Sequence, residues 1–314
     1  MTSTPLVLGA MMFGTRIDES TSFALLDRFV ETGGEWIDTA DCYSFWASDT
    51  GHGGQSEMLL SRWLAARPGV RDLVKIATKL GAEPTVVGGW PERRQGLSTP
   101  AVRTALAGSL DRLGVDSIDL LWLHQEDRSV PIEQTVDAIA EFVAMGTVDR
   151  VGASNHPAWR IERARRHAID SGTRPMDALQ LSTTYLRPRP GTLPPGNVHR
   201  FGVLDDEHVD FAAENDIELW AYTPLLSGAY DNPDKEIPEV FDHPGSTRRL
   251  AALDEASDQL GISRGQVVLA WLVGRSPSIR PILGGSKVEQ LDIAVEGVAM
   301  TLPDELRRRL DEAV

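Results

Sequence analysis

Residues 73–153 carry Leu73-Val74-Lys75-Ile76-Ala77-Thr78, then Thr99 to Leu113, then Ile118-Asp119-Leu120-Leu121-Trp122-Leu123, then Ile132 to Met145, then Arg150-Val151-Gly152-Ala153. The first, third and fifth pieces are short runs of aliphatic or β-branched residues, as strands are. The second and fourth are amphipathic. In Ile132, Val136, Ile139, Ala140 and Val143 the apolar residues recur at three and four and paint one helix face. Strict alternation of the two predicts parallel strands, because parallel neighbours need a crossover and the crossover is usually a helix.

The alternation continues in both directions. Strands are predicted at Leu6 to Leu8, Trp36 to Asp38, Ala178 to Leu181, Ile217 to Tyr222 and Ile279 to Leu283. Helices are predicted at Glu19 to Glu31, Ser56 to Ala66, Ala158 to Asp170, Asp205 to Asn215, Ser246 to Leu260 and Val288 to Val295. Extra helices at Arg264 to Leu272, introduced by the capping residue Ser263, and at Pro303 to Ala313 follow the seventh and eighth units. Ser98 and Thr99 ahead of Pro100 are a further capping signal. Eight units suit a closed α/β barrel. A doubly wound sheet built for a dinucleotide would carry Gly-x-Gly-x-x-Gly after its first strand, and Gly9-Ala10-Met11-Met12-Phe13-Gly14 does not fit. No Pro/Gly/Ser-rich linker divides the chain, so the expectation is one (β/α)8 TIM barrel domain over residues 1–314.

Composition narrows the function. The chain has 31 basic and 46 acidic residues, a formal charge of −15. That argues against a nucleic-acid binder and against an anionic membrane surface, since both are met by clustered Lys and Arg. A single cysteine, Cys42, excludes an intrachain disulfide and a Cys-cluster metal site. The histidines show no His-x-x-x-His or other ligand spacing, so no metal is implied. The start, MTSTPLVLGAMMFGTR, has no basic leader region, and no run of about 18 apolar residues occurs. The expected location is cytoplasmic.

In such a barrel the strand-to-helix loops gather at one face, where active sites sit. The longest are Leu80 to Leu97, Ser182 to Leu204 and Leu225 to Gly245. At the same ends of consecutive strands stand Asp38 with Tyr43, then Lys79, then His124. Each alone has an ordinary structural explanation; four complementary ionisable groups at one end do not. Lys79 beside Tyr43 is expected to stabilise the phenolate and bring the tyrosine pKa down from about 10. Asp38 would hold the ammonium and His124 would orient a substrate oxygen or share the proton. Such a set suits a carbonyl that gains a proton on oxygen while hydride reaches carbon. Cys42 reads as a small buried filler.

The order Asp38-Thr39-Ala40-Asp41-Cys42-Tyr43, then Lys79, then His124 resembles the catalytic tetrad of the aldo-keto reductase superfamily, whose fold is a (β/α)8 barrel and whose hydride donor is usually NADPH. The resemblance implies a cofactor cradle along nearly the whole chain. Gly9, Ala10, Met11 and Asp38 would border the nicotinamide, Ser154, Asn155 and Gln180 would hold its carboxamide, and Tyr222 would stack on it. The segment with Thr223, Pro224, Leu225, Ser227 and Gly228, and the turn with Gly284, Ser286, Lys287 and Gln290, would carry the rest of the dinucleotide. Ser154 and Asn155 also read as caps for the helix beginning near Pro157.

The chain departs from the family pattern in places. Its N-terminal hairpin is shortened or absent, Ala10 stands where many members have Thr, Gln290 where an Arg often reads the 2′-phosphate, and Ala294 where an Asn often contacts adenine. Lys287 is then the expected phosphate cation, with NADP favoured over NAD. The substrate pocket is expected to use Trp46, Trp90 and Trp122, with Phe45, Tyr185 and His52 as further candidates. The expected activity is reduction of an aldehyde or ketone to an alcohol by a monomer or small homo-oligomer. The alternatives are a cofactor-binding sensor subunit with little turnover, and an enzyme acting on alcohols, sugars or keto sugars.

Overall fold

The computed structural model describes residues 4–313. Eight strands, β1 (Val7–Gly9), β2 (Trp36–Asp38), β3 (Lys75–Leu80), β4 (Ile118–Leu123), β5 (Val148–Ser154), β6 (Ala178–Ser182), β7 (Glu218–Tyr222) and β8 (Ile279–Leu283), pair in sequence order, all parallel, and β1 pairs with β8 to close the barrel. The helices are α1 (Glu19–Glu31), α2 (Gln55–Ala66), α3 (Thr99–Leu113), α4 (Ile132–Ala144), α5 (Ala158–Asp170), α6 (Asp206–Glu214), α7 (Pro244–Leu260), α8 (Arg264–Val273), α9 (Val288–Ala299) and α10 (Asp304–Glu312). The two extra helices, α8 and α10, fall after the seventh and eighth units as the sequence predicts. Among the described residues no strand precedes β1, and no helix is long and apolar enough to cross a membrane.

Strand alternation sorts the core into two layers. Ile76 and Leu80 of β3 face the helices in the large outer core. Ala77 faces inward with Val7, Trp36, Leu120, Trp122, Ala178, Trp220 and Ile282. Three tryptophans fill this interior, Trp220 lying edge-on to both Trp36 and Trp122 at 5.2 Å. Trp122 fits because its partner across β4 and β5 is Gly152, where a Cβ would stand 2.4 Å from the indole ring. The barrel is therefore packed solid below its functional rim.

Helix ends follow the sequence signals unevenly. Ser263 and Gln266 form a reciprocal capping box on α8. Ser98 occupies the N-cap of α3 without a side-chain bond. The N-cap of α5 is Pro157, so neither Ser154 nor Asn155 caps that helix.

Candidate active site

Register alone carries three of the four ionisable groups to one rim. Asp38 ends β2 opposite Ala77, Lys79 lies two residues beyond Ala77 on the same inward face, and His124 follows β4 directly. The ladder runs past β2 through Thr39 N–H to Ala77 O (2.8 Å) and Asp41 N–H to Lys79 O (3.0 Å), and the chain then turns to deliver Tyr43. Ser44 pins that turn in a left-handed conformation (φ 72°), its hydroxyl donating to Met11 O at 2.7 Å.

The Lys79 ammonium is buried and commits all three N–H donors: to the Asp38 carboxylate, to Thr39 O at 2.8 Å and to the Tyr43 hydroxyl oxygen at 2.7 Å. The second Asp38 oxygen accepts from Gln180 Nε2 at 2.9 Å. Tyr43 and His124 meet edge-on with ring centres 5.7 Å apart.

Electrostatics correct one expectation. Burial pushes the Tyr43 phenol well above its ordinary range and the Asp38 charge adds to it, so the value rises instead of falling. Asp38 holds the Lys79 ammonium as the sequence suggests, but the pair's net effect does not offset the burial of the phenol. Within that pair burial draws Asp38 up and Lys79 down, each opposed by its partner's charge. Burial, followed by the Lys79 and Arg94 charges, drives His124 well below the usual imidazole value. At neutral pH the site thus holds a protonated phenol and a neutral imidazole.

The residues assigned by resemblance to a dinucleotide gather on the same rim. Ser154 and Gln180 are register partners. Asn155, left-handed at φ 59°, donates from Nδ2 to His124 O and Ser154 Oγ (both 3.0 Å), and its Oδ1 accepts from the Tyr222 hydroxyl at 2.7 Å. Tyr222 also reaches Gly202 O at 3.2 Å. Gly9 is opposite Asp38, Ala10 is buried with its carbonyl held by Ser56 Oγ, and Met11 is exposed.

After β7 the loop with Thr223, Pro224, Leu225, Ser227 and Gly228 contains three non-glycine residues in the left-handed region, Thr223, Leu226 and Ser227. Strain of this kind collects where a loop is shaped for a ligand. Lys235 Nζ donates to Ser227 O and closes the loop. After β8, Gln290 Oε1 accepts from the Ser286 amide at 3.1 Å, and a Cβ on Gly284 would meet only Gly9 O, at 3.2 Å. Lys287 is the N-cap of α9, yet no side chain caps that helix, and among the described residues Lys287 makes no ion pair. Open helix amides beside an unpaired cation fit a phosphate group.

The aromatic candidates separate. Phe45 packs on Trp46 (4.9 Å) and Trp90 (5.7 Å), with Trp46, three residues after Tyr43, 42% exposed. Trp122 has no exposed surface and stands under the rim within the barrel packing, so it does not line an open pocket. Tyr185 is buried against Trp271, with its hydroxyl on Leu310 O at 2.9 Å, away from the tetrad. His52 pairs with Glu83 at 3.0 Å.

Other residues could not be found by spacing. Glu57, fully buried in α2, accepts from Thr78 at 2.6 Å and from Arg112 at 2.7 Å, tying α2, β3 and α3 together behind the tetrad. Arg94 acts on His124 and donates to Glu126 O at 2.9 Å. Cys42 is buried as expected, but its Sγ lies 3.4 Å from His124 Nδ1, across 82 residues of sequence.

The chain is similar in sequence to proteins named as reductases and oxidoreductases. Norsolorinic acid reductase stcV of Emericella nidulans is 29% identical over 99% of this chain and 78% of its own length. Norsolorinic acid reductase B of Aspergillus parasiticus is 31% identical over 98% of this chain and 80% of its own. An uncharacterized oxidoreductase, YrpG of Bacillus subtilis, is 27% identical over 98% and 91%. The aldo/keto reductase family, whose members generally use NAD(P)H, is described by a sequence model that matches residues 5–314. A match that takes in every strand of the barrel and all four tetrad positions shows that the chain belongs to the aldo/keto reductase family of oxidoreductases.

Proposed function

We propose that the protein reduces an aldehyde or ketone to the alcohol with NADPH, Tyr43 giving the proton and Lys79, Asp38 and His124 supporting it. The observation that carries this is the 2.7 Å contact of the Tyr43 hydroxyl with an ammonium whose other donors are fixed. Bound NADPH supplies hydride to the carbonyl carbon. Tyr43 holds its proton until the substrate oxygen gains charge, then transfers it. The phenolate oxygen left behind already faces a Lys79 N–H, so its charge is met without reorganisation. Asp38 keeps the ammonium in place, and neutral His124 orients the carbonyl oxygen.

NADPH is favoured over NADH because Lys287 stands unpaired at the open end of α9, with Gln290 bracing the neighbouring Ser286. The Phe45, Trp46 and Trp90 rings favour a flat aromatic carbonyl compound. The test is steady-state NADPH oxidation with matched aryl and alkyl aldehydes and ketones. Turnover with higher kcat/KM for the aryl members is expected. NADPH binding without turnover of any carbonyl would refute the reductase and leave the sensor alternative.

A further inference from the structure

Asp41 is buried, and neither of its carboxylate oxygens has a hydrogen-bond partner. A carboxylate in that condition is costly unless something meets it. One oxygen of Asp41, Cys42 Sγ and a ring nitrogen of His124 all lie within 4.8 Å of one another. We propose that these three side chains form a site for one Zn2+ ion, or a divalent cation of similar softness, held against the catalytic imidazole.

The geometry is close to coordination before any ion arrives. Zinc bonded to sulfur at about 2.3 Å and to nitrogen at about 2.0 Å in a tetrahedron puts those two atoms about 3.5 Å apart. Cys42 Sγ and His124 Nδ1 are 3.4 Å apart. Asp41 has to close the remaining gap, and its carboxylate has no bond to break in doing so. The backbone that presents both residues is rigid: Asp41 N–H is tied to Lys79 O, and Gly53 lies so near Cys42 that a Cβ there would come within 2.4 Å of its main chain. One sulfur, one nitrogen and one oxygen select Zn2+ over Mg2+ or Ca2+, which take oxygen sets. Three carboxyl groups, Asp41, Glu57 and Glu83, act on one another here; Arg112 is paired with Glu57, and the Lys79 and Arg94 charges oppose a cation from the His124 side.

Binding releases to solvent the thiol proton and the proton that burial favours on the Asp41 carboxyl, and takes the Nδ1 lone pair, leaving the imidazole proton on Nε2; nothing is oxidised or reduced. Its effect on turnover rests on the carbonyl reduction proposed above. A divalent charge beside Lys79 and Tyr43 disturbs the balance that keeps the phenol protonated, so Zn2+ inhibits and a chelator restores activity.

The test is a Co2+ titration of the full chain without cofactor or substrate. The expected result is one Co2+ per chain, with a thiolate-to-cobalt charge-transfer band that stoichiometric Zn2+ abolishes. Cys42 is the only cysteine, so the band on the unaltered protein assigns itself without any variant. Asp41→Asn, checked for folding by circular dichroism, is expected to weaken Co2+ at least about tenfold. No band at saturating Co2+, or equal affinity in a folded Asp41→Asn protein, overturns the proposal. A band on a protein that reduces no carbonyl compound leaves the metal site standing and removes only its link to turnover.

Discussion

Replacing Tyr43 with Phe removes one oxygen from a network whose every partner is known. Lys79 loses its 2.7 Å acceptor but keeps Asp38 and Thr39 O, so the ammonium is left with two of three bonds. The loss of one hydrogen bond to a charged, buried group costs about 1–2 kcal/mol. With about 2.1 cal/mol/K of unfolding entropy per residue over 314 residues, that lowers Tm by about 2–3 °C. The effect on chemistry is of another order. Without the proton donor kcat is expected to fall by about 10²- to 10⁴-fold, equivalent to about 3–5 kcal/mol on the barrier. KM for the carbonyl compound and Kd for NADPH should stay within about twofold, because the phenol acts only when the oxygen becomes charged. Steady-state NADPH oxidation for kcat and KM, cofactor quenching of tryptophan fluorescence for Kd and a thermal melt for Tm read the four quantities separately. A folded Tyr43→Phe protein retaining kcat within about tenfold of the original would refute the assignment of the acid.

Three other outcomes follow from the same structure. Burial brings His156 down from 6.5 to about 4, so the folded state binds fewer protons than the unfolded one between those values; the stability present above pH 6.5 is lost as pH falls toward 4, by about 3 kcal/mol from this residue. Urea melts across that range should show a shallower pH slope for His156→Gln, and equal slopes would contradict the account. Lys287→Ala should raise Kd for NADPH about 10- to 100-fold and leave NADH unchanged, as read by fluorescence titration, whereas equal losses for both would deny Lys287 a role at the 2′-phosphate. Glu57→Gln leaves Arg112 without its carboxylate and should cost about 2–3 kcal/mol, discounted because the Arg112 side chain is 29% exposed, and a thermal melt unchanged within about 1 °C would show that the tie does not hold α2, β3 and α3 together.

The fold was legible because it is written in local periods. Each strand and helix announces itself within ten or fifteen residues, and the closed order follows from eight such units together with the absence of Gly-x-Gly-x-x-Gly after the first strand. Asp38, Lys79 and His124 were legible for the same reason, since strand ends mark the rim. What stayed hidden depends on three-dimensional neighbours. The rise of the Tyr43 pKa follows first from burial and then from the Asp38 charge, and spacing shows neither. The meeting of Cys42 with His124 spans 82 positions. Trp122 was misplaced because strand parity decides inside from outside, and only the neighbouring Gly152 reveals the space it occupies.

Asn155 grips the His124 carbonyl with one end of its amide and the Tyr222 hydroxyl with the other, across β4, β5 and β7. A ligand that displaces Tyr222 therefore pulls on the strand end that presents the imidazole. Thermodynamic linkage makes such a pull mutual: whatever factor the dinucleotide applies to carbonyl affinity, the carbonyl compound returns to the dinucleotide. Under the proposed function, one amide joint thus gives the two ligands a means of sensing each other.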